Sequence, residues 1–103
     1  MMDFRRGDPD MYVATFKLQC KPEKQHEINQ TLEEIVDRVK KLEGCKNTKI
    51  YKDKNDENIF FLVEEWQNQR HLDDHMKSNL FAALLGIKGL LTKEPEIMFM
   101  NEH

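Results

Sequence analysis

The sequence lacks a long apolar run, a cysteine framework and an excess of basic charge. No stretch of its 103 residues approaches the roughly 20 apolar residues that a membrane-spanning helix needs. Its two cysteines are too few for a disulfide framework or a four-ligand zinc site. The formal net charge is -3, so the basic surface typical of nucleic-acid-binding proteins is not expected. We therefore predict a protein that neither crosses a membrane nor binds nucleic acid.

Familiar catalytic signatures are missing as well. The sequence has no Gly-rich phosphate loop, no Gly-x-Ser-x-Gly turn and no His-Glu-x-x-His pair, which excludes the common nucleotide-binding, hydrolase and zinc-protease classes. Residues 1–10 are charged and contain Gly7 and Pro9, but no apolar segment of a secretion signal. We predict that they form a flexible N-terminal arm, followed by a single domain over residues 11–103, in a cytoplasmic protein.

The first half of the domain predicts a strand followed by a long helix. Residues 11–20 are rich in β-branched and aromatic side chains, which is typical of a strand. A helix is expected over residues 22–43, with Gly44 as its left-handed stop. Its inner face is predicted from five apolar residues at helical spacing: Ile28, Leu32, Ile35, Val39 and Leu42.

The second half predicts three strands and a second helix. Strands are expected over residues 46–53, 59–66 and 96–100, and Asn68 can cap a helix over residues 69–77. A short helical piece is expected after Ser78, containing Phe81, Leu84 and Leu85. The resulting order is strand, helix, strand, strand, helix, strand. That order predicts an α+β, ferredoxin-like split βαββαβ fold with an antiparallel sheet.

The predicted strand over residues 59–66 carries apolar side chains on both faces. Its block Ile59 to Val63 does not alternate with polar residues, so both faces should be covered. In a two-layer domain the helices cover only one face of the sheet. We expect a second copy of the chain to cover the other face, which predicts a homodimer.

Three side chains are the strongest candidates for chemistry. Glu64 and Trp66 lie two residues apart on the buried strand, so they project from the same face. His75 falls on the inner face of the second predicted helix, beside Leu72 and Met76. A carboxylate, an indole N–H and an imidazole facing one interior could bind a ring and move protons. The alternative is that Trp66 fills the core and His75 is a hydrogen-bonded structural residue.

The chain resembles the antibiotic biosynthesis monooxygenase domain family over residues 12–100. The resemblance rests on VATFKLQCKPEKQHEI, LEGC, FFLVEEW, QRHLDDHMKSNLF and EPEIMFM. It is most specific in the ordered series Gly44-Cys45, Glu64-x-Trp66, Leu72-x-x-His75 and Phe81. The resemblance implies a homodimer in which two sheets pack into a dimeric α+β barrel. It also implies an apolar pocket in each subunit, and oxygenation of aromatic polyketides or quinols without metal, flavin or haem.

The resemblance also suggests roles for particular residues. His75, Trp66 and Glu64 would be catalytic, with Trp66 stacking or donating and the other two handling protons. The substrate pocket would be lined by Phe16, Tyr51, Phe60, Phe81 and Met98. Thr48 and Leu80 depart from the family pattern, which often has Tyr and His there. Relatives include haem-degrading enzymes, but Phe16 and residues 84–87 offer no haem ligand here.

These observations leave three hypotheses for function. The first is a cofactor-independent monooxygenase that acts on a small electron-rich aromatic, such as a quinol. The second is a non-catalytic dimer that binds a small ligand in the family pocket. The third is an isomerase, or another enzyme that shuttles protons on a small metabolite through His75 and Glu64. Oxygen uptake with quinols and anthrones separates the first hypothesis from the others.

Overall fold

A computed structural model describes residues 11–78, 82 and 86–102 of the chain. Within them lie four strands and two α-helices in the predicted order: β1 (Met11–Gln19), α1 (Gln25–Val39), β2 (Cys45–Lys52), β3 (Ile59–Trp66), α2 (Gln69–Met76) and β4 (Glu96–Glu102). Short 3-10 helices occur at Pro22–Lys24 and Gly86–Leu90. The strands form one sheet in the order β2–β3–β1–β4, and each neighbouring pair is antiparallel. The predicted ferredoxin-like α+β fold is confirmed.

The two central strands build the core through strict alternation. Phe16 of β1 lies opposite Leu62 of β3, and Leu18 lies opposite Phe60, all four on the face that the helices cover. These side chains are fully or almost fully buried. Because successive residues of a strand point to opposite faces, the residues between them point away from the helices. β3 therefore alternates buried and half-buried residues along its length.

The first helix is shorter than its apolar pattern predicts. Ile28, Leu32, Ile35 and Val39 are buried against the sheet, as expected. The α-helix begins at Gln25, directly after the 3-10 turn Pro22–Lys24, so the chain is helical from the predicted start at Pro22. The α-helix ends at Val39, so the predicted end at residue 43 is wrong. A turn follows in which Leu42 N–H donates to Val39 O, and the Leu42 side chain is 38% exposed. Gly44, with φ of +86°, is the predicted left-handed residue.

The face of the sheet turned away from the helices has no cover among the described residues of the chain. We call it the open face, and it contains Val13, Thr15, Lys17, Asn47, Lys49, Tyr51, Phe61, Val63, Met98 and Met100. Tyr51, Met98 and Met100 are about half exposed, at 50%, 60% and 47%. An exposed apolar surface of this kind is typical of an interaction site.

Some predictions concern parts of the chain that the structure does not describe. The N-terminal arm over residues 1–10 and the helical piece with Phe81, Leu84 and Leu85 lie outside the described residues. The last strand extends to Glu102, two residues beyond the predicted end at Met100. Within the described residues, no helix has both the length and the apolar character needed to cross a membrane.

Candidate functional site

The end of β3 places a carboxylate and an indole side by side in the core. Glu64 and Trp66 point to the helix side of the sheet and are 0% and 1% exposed. Trp66 Nε1–H donates a hydrogen bond to Glu64 Oε1 over 3.1 Å. Because the indole nitrogen can only donate, Glu64 must present an acceptor oxygen here. The predicted shared face of the two residues is confirmed by this contact.

His75 of α2 completes the cluster from the opposite side. Its ring stacks on Trp66, with ring centroids 4.9 Å apart and an interplanar angle of 27°. His75 Nε2 lies 3.2 Å from the same Glu64 Oε1, an ion pair whenever the imidazole is protonated. His75 Nδ1 lies 3.5 Å from Ser78 Oγ, and Ser78 Oγ–H donates to the His75 carbonyl over 2.6 Å. The two ring nitrogens thus face different groups: a buried carboxylate and a serine hydroxyl.

Local helix signals bring His75 to this position. Asn68 accepts a hydrogen bond from His71 N–H over 3.0 Å, which caps α2 as predicted. Leu72 and His75 are the buried residues of α2. They are three residues apart, so they lie on one face of the helix, toward the sheet.

A cleft of about 250 Å³ opens above the stacked rings. We call it the α2 cleft. It lies between the turn after α1, the end of β3 and α2, and it is lined by Leu42, Glu43, Trp66, Arg70, His71, Asp74, His75 and Ser78. Trp66 and His75 line it although both are almost fully buried, whereas Glu64, which contacts both, does not line it. The rim carries charges of both signs.

Close packing of Gly44 against His71 shapes one wall of this cleft. A β-carbon at residue 44 would collide with the ring of His71. Gly44 O also accepts a hydrogen bond from Gln67 N–H over 2.7 Å, which ties the turn after α1 to the end of β3. Glycine is therefore required here both for its positive φ and for the space that His71 occupies.

The structure brings together only part of the predicted site. His75 and Trp66 line the α2 cleft, and Glu64 supports both. Phe16 and Phe60 lie in the hydrophobic core on the same side of the sheet, but neither lines this cleft. Phe60 instead lies under Lys52 Nζ, 5.3 Å from its ring centroid, near a separate depression beside α1.

The register of the sheet places Tyr51 and Met98 away from the predicted pocket. Tyr51 lies opposite Phe61 and Met98 lies opposite Thr15, which places both on the open face. Their side chains cannot line a cleft on the helix side of the same protomer. Phe81, the remaining predicted pocket residue, lies outside the described residues.

Sequence reasoning missed several residues that line the cleft. His71 lies one helical turn before His75, Ser78 lies three residues after it, Asp74 directly precedes it, and Arg70 borders them. The repeat of His71 and His75 at a spacing of four could have indicated a shared face. Leu42 also lines the cleft. Its apolar side chain had been expected in the core, on the inner face of the first helix.

The negative charge of Glu64 affects the pKa of Cys45 on the neighbouring strand β2. Burial is the largest cause that raises the pKa of the Cys45 thiol, and the negative charge of Glu64 raises it further. Cys45 lies opposite Trp66 at the start of β2. Cys45 is therefore a weak nucleophile at neutral pH.

The arrangement is suited to holding a planar molecule and exchanging a proton with it. A stacked indole and imidazole line the cleft, and the carboxylate in contact with both can stabilise a protonated imidazole. Among the described residues, no group of three or more His, Cys, Asp or Glu side chains could hold a metal ion.

Comparison with protein families gives a match over most of the chain. The family model for antibiotic biosynthesis monooxygenase matches residues 11–85. None of the curated proteins matches the sequence.

Solved structures share the whole fold. A conserved protein from Methanosarcina mazei Go1 is 26% identical, with a TM-score of 0.88, and the match covers 97% of this chain and 100% of that one. A Bacteroides thetaiotaomicron protein of unknown function, described as a possible oxidoreductase, is 21% identical with a TM-score of 0.81, covering 90% and 98%. A candidate antibiotic biosynthesis monooxygenase from Deinococcus radiodurans is 18% identical with a TM-score of 0.82, covering 89% and 92%.

Proposed function

The chain belongs to the antibiotic biosynthesis monooxygenase family, and we propose that it is a cofactor-independent monooxygenase acting on a small aromatic substrate, such as a quinol or a hydroxylated polyketide. The observation that carries this proposal is the stacked Trp66–His75 pair, which lines the α2 cleft above the buried Glu64 carboxylate. This pair supplies the two things that such a reaction needs from the protein: a surface for a planar ring and a group that accepts a proton.

In this proposal His75 takes the proton of a phenolic hydroxyl bound in the cleft at Nδ1, the ring nitrogen that faces Ser78 Oγ at 3.5 Å, because Nε2 is turned to Glu64. The resulting anion is electron-rich and can pass one electron to molecular oxygen, which gives a substrate radical and superoxide. These combine into a peroxide at a ring carbon, and its O–O bond breaks as one oxygen atom stays on the substrate and the other leaves as water with the returned proton. Glu64 does not touch the substrate, because it is 0% exposed and lies below the rings. Its role is to stabilise the imidazolium that forms when His75 accepts the proton, through the contact of 3.2 Å between Oε1 and Nε2.

The open face supports the second part of the proposal, a homodimer. Phe61 and Val63 are half-buried within the protomer, and Tyr51, Met98 and Met100 are more exposed. A second copy of the same face would cover these side chains and close a barrel of two sheets. Stable interfaces of this class bury on the order of 2,000 Å² or more in total.

The free thiols of Cys20 and Cys45 support a cytoplasmic location.

The proposal is tested by oxygen consumption with a panel of quinols and anthrones, comparing the wild type with His75→Phe. Phenylalanine preserves the stack on Trp66 but cannot accept a proton, so turnover should fall by about 10² to 10⁴. Loss of the contact with Glu64 should also lower the free energy of unfolding by about 1–3 kcal/mol. His26→Phe, the same exchange at an exposed position of α1, is the matched control and should retain turnover.

Two results would count against the monooxygenase. Turnover per folded molecule that is unchanged in His75→Phe would remove His75 from the reaction. Failure of the wild type to consume oxygen with any member of the panel, together with thermal stabilisation by the same compounds, would favour a non-catalytic ligand-binding dimer.

A further inference from the structure

Thr48 lies beside Glu64 at the centre of the buried cluster. The two residues are directly opposite each other on the antiparallel strands β2 and β3, so their side chains share the helix side of the sheet. Thr48 is 7% exposed and Glu64 is 0% exposed. The sequence alone marked Thr48 only as a departure from the family pattern.

A β-bulge produces this pairing. Cys45 lies opposite Trp66 and Asn47 lies opposite Glu65, so Lys46 is an extra residue in β2. If the ladder continued from the Cys45–Trp66 pair without a bulge, Asn47 would lie opposite Glu64, and Thr48 would lie opposite Val63 on the open face. Bulges commonly re-aim a side chain in this way. Here the bulge delivers a small hydroxyl to the carboxylate.

Each of the two residues presents a buried oxygen that no described group of the protein satisfies. These atoms are Thr48 Oγ1 and Glu64 Oε2. The other carboxylate oxygen, Oε1, already meets Trp66 Nε1 and His75 Nε2. Buried polar atoms are nearly always hydrogen-bonded, and a pair of orphans on adjacent strands calls for a common partner. Side chains directly opposite on a sheet start about 4.5–5.5 Å apart at Cβ, within reach of one bridging molecule.

We propose that Thr48 is a positioning residue whose hydroxyl holds Glu64 Oε2 through one buried water molecule. The water donates one hydrogen to Glu64 Oε2 and accepts the hydroxyl hydrogen of Thr48, so each orphan gains a partner. A carboxylate held at Oε2 keeps Oε1 turned toward Trp66 and His75. The role of this arrangement in catalysis rests on the proposed function. The hydrogen bonds themselves do not depend on it.

The test compares Thr48→Val with Thr48→Ser, read out on the single tryptophan. Valine keeps the shape of threonine but removes the hydroxyl, and serine keeps the hydroxyl but removes the methyl group. The one Trp of the chain gives a single indole N–H signal in a nitrogen-15 NMR spectrum. In Thr48→Val the loosened carboxylate should let the indole proton exchange with solvent about threefold to tenfold faster. Thr48→Ser should keep the wild-type exchange rate.

Thermal unfolding and wild-type NMR complete the test without any assay of activity, so failure of the proposed reaction would not affect them. We expect the Tm of Thr48→Val to fall by about 4 °C or more, because a satisfied hydrogen bond is lost. If the Thr48 hydroxyl had no hydrogen-bond partner, its removal would leave the Tm unchanged or raise it, which would overturn the proposal. An equal effect of both variants on the exchange rate of the indole proton would also overturn it. In the wild type, Thr48 should show a nuclear Overhauser effect to a long-lived water, and its absence would also refute the bridge.

Discussion

The two faces of β3 differ in how far a single protomer buries them. On the helix side, Phe60, Leu62, Glu64 and Trp66 are 0–1% exposed, and Glu64 Oε1 contacts both Trp66 Nε1 and His75 Nε2. On the open face, Ile59, Phe61, Val63 and Glu65 are only half-buried, and the described part of the chain supplies no cover for them. One strand of eight residues thus serves two tasks by strict alternation.

The continuous apolar block Ile59 to Val63 thus spans two different environments. Burial of the helix side fixes the fold and holds the candidate site, so changes there should affect stability and chemistry together. The open face contributes little to the protomer, so changes there should affect association alone. Matched substitutions of neighbouring residues on β3 can separate these two effects.

The largest contrast is expected between Phe60→Asp and Phe61→Asp. Phe60 is 0% exposed, and loss of its ring alone costs about 3–5 kcal/mol before the charge is buried. Phe60→Asp should therefore give no folded protein by circular dichroism. Phe61→Asp should keep the folded spectrum but sediment as a monomer, because the charge lies on the proposed interface.

Either of two outcomes would contradict the assignment of Phe60 and Phe61 to different environments. A Phe61→Asp protein that remains dimeric at micromolar concentration would place the interface elsewhere. A Phe61→Asp protein that unfolds as completely as Phe60→Asp would show that the open face is part of the protomer core.

The sequence was sufficient for what depends on local periodicity. Alternation placed Glu64 and Trp66 on one face, and helical spacing turned His75 inward. Local capping signals at Asn68 and Gly44 were also predicted correctly. These features depend on residues close together in the chain, so a single sequence contains the information.

Features that depend on register or on other elements were not predictable in the same way. Tyr51 and Met98 were expected to line the pocket because of the family resemblance, but the face on which each lies is set by pairing with β3 and β1. Leu42 continues the apolar stripe of α1, yet the chain turns after Val39. The bulge at Lys46, which aims Thr48 at Glu64, has no signature in composition or hydrophobic pattern.

A second contrast lies between Glu64→Ala and Glu65→Ala, both made in the monomeric Phe61→Asp background so that association does not contribute. Glu64→Ala leaves the buried Trp66 indole N–H without its acceptor and opens a cavity. The free energy of unfolding should fall by about 2–4 kcal/mol. Glu65→Ala should change it by less than about 0.5 kcal/mol. Urea denaturation followed by circular dichroism measures both values, and equal effects would contradict the assignment of the two faces.

The wall of the cleft gives a third and smaller effect. Gly44→Ala forces a side chain into a left-handed conformation and against the ring of His71. We expect the free energy of unfolding to fall by about 1–3 kcal/mol. Gly89→Ala is the matched control, since a β-carbon there has nothing within 4 Å, and it should be nearly neutral. A neutral Gly44→Ala would show that His71 can leave the wall without cost.

The smallest expected effect reports the charge of Glu64 through Cys45. The pKa of this thiol is raised first by burial and then by Glu64, whereas Glu65 is the weakest of the causes that raise it. Glu64→Gln removes the negative charge, so the pKa of Cys45 should fall and its thiolate fraction at a fixed, mildly alkaline pH should rise. Alkylation of Cys45 by iodoacetamide, followed by mass spectrometry, should then become modestly faster. Glu65→Gln should produce a weaker change in the same direction, because its carboxylate ranks below Glu64 in its effect on the thiol. An equal or larger acceleration in Glu65→Gln would mean that the buried carboxylate is not the charge that Cys45 senses.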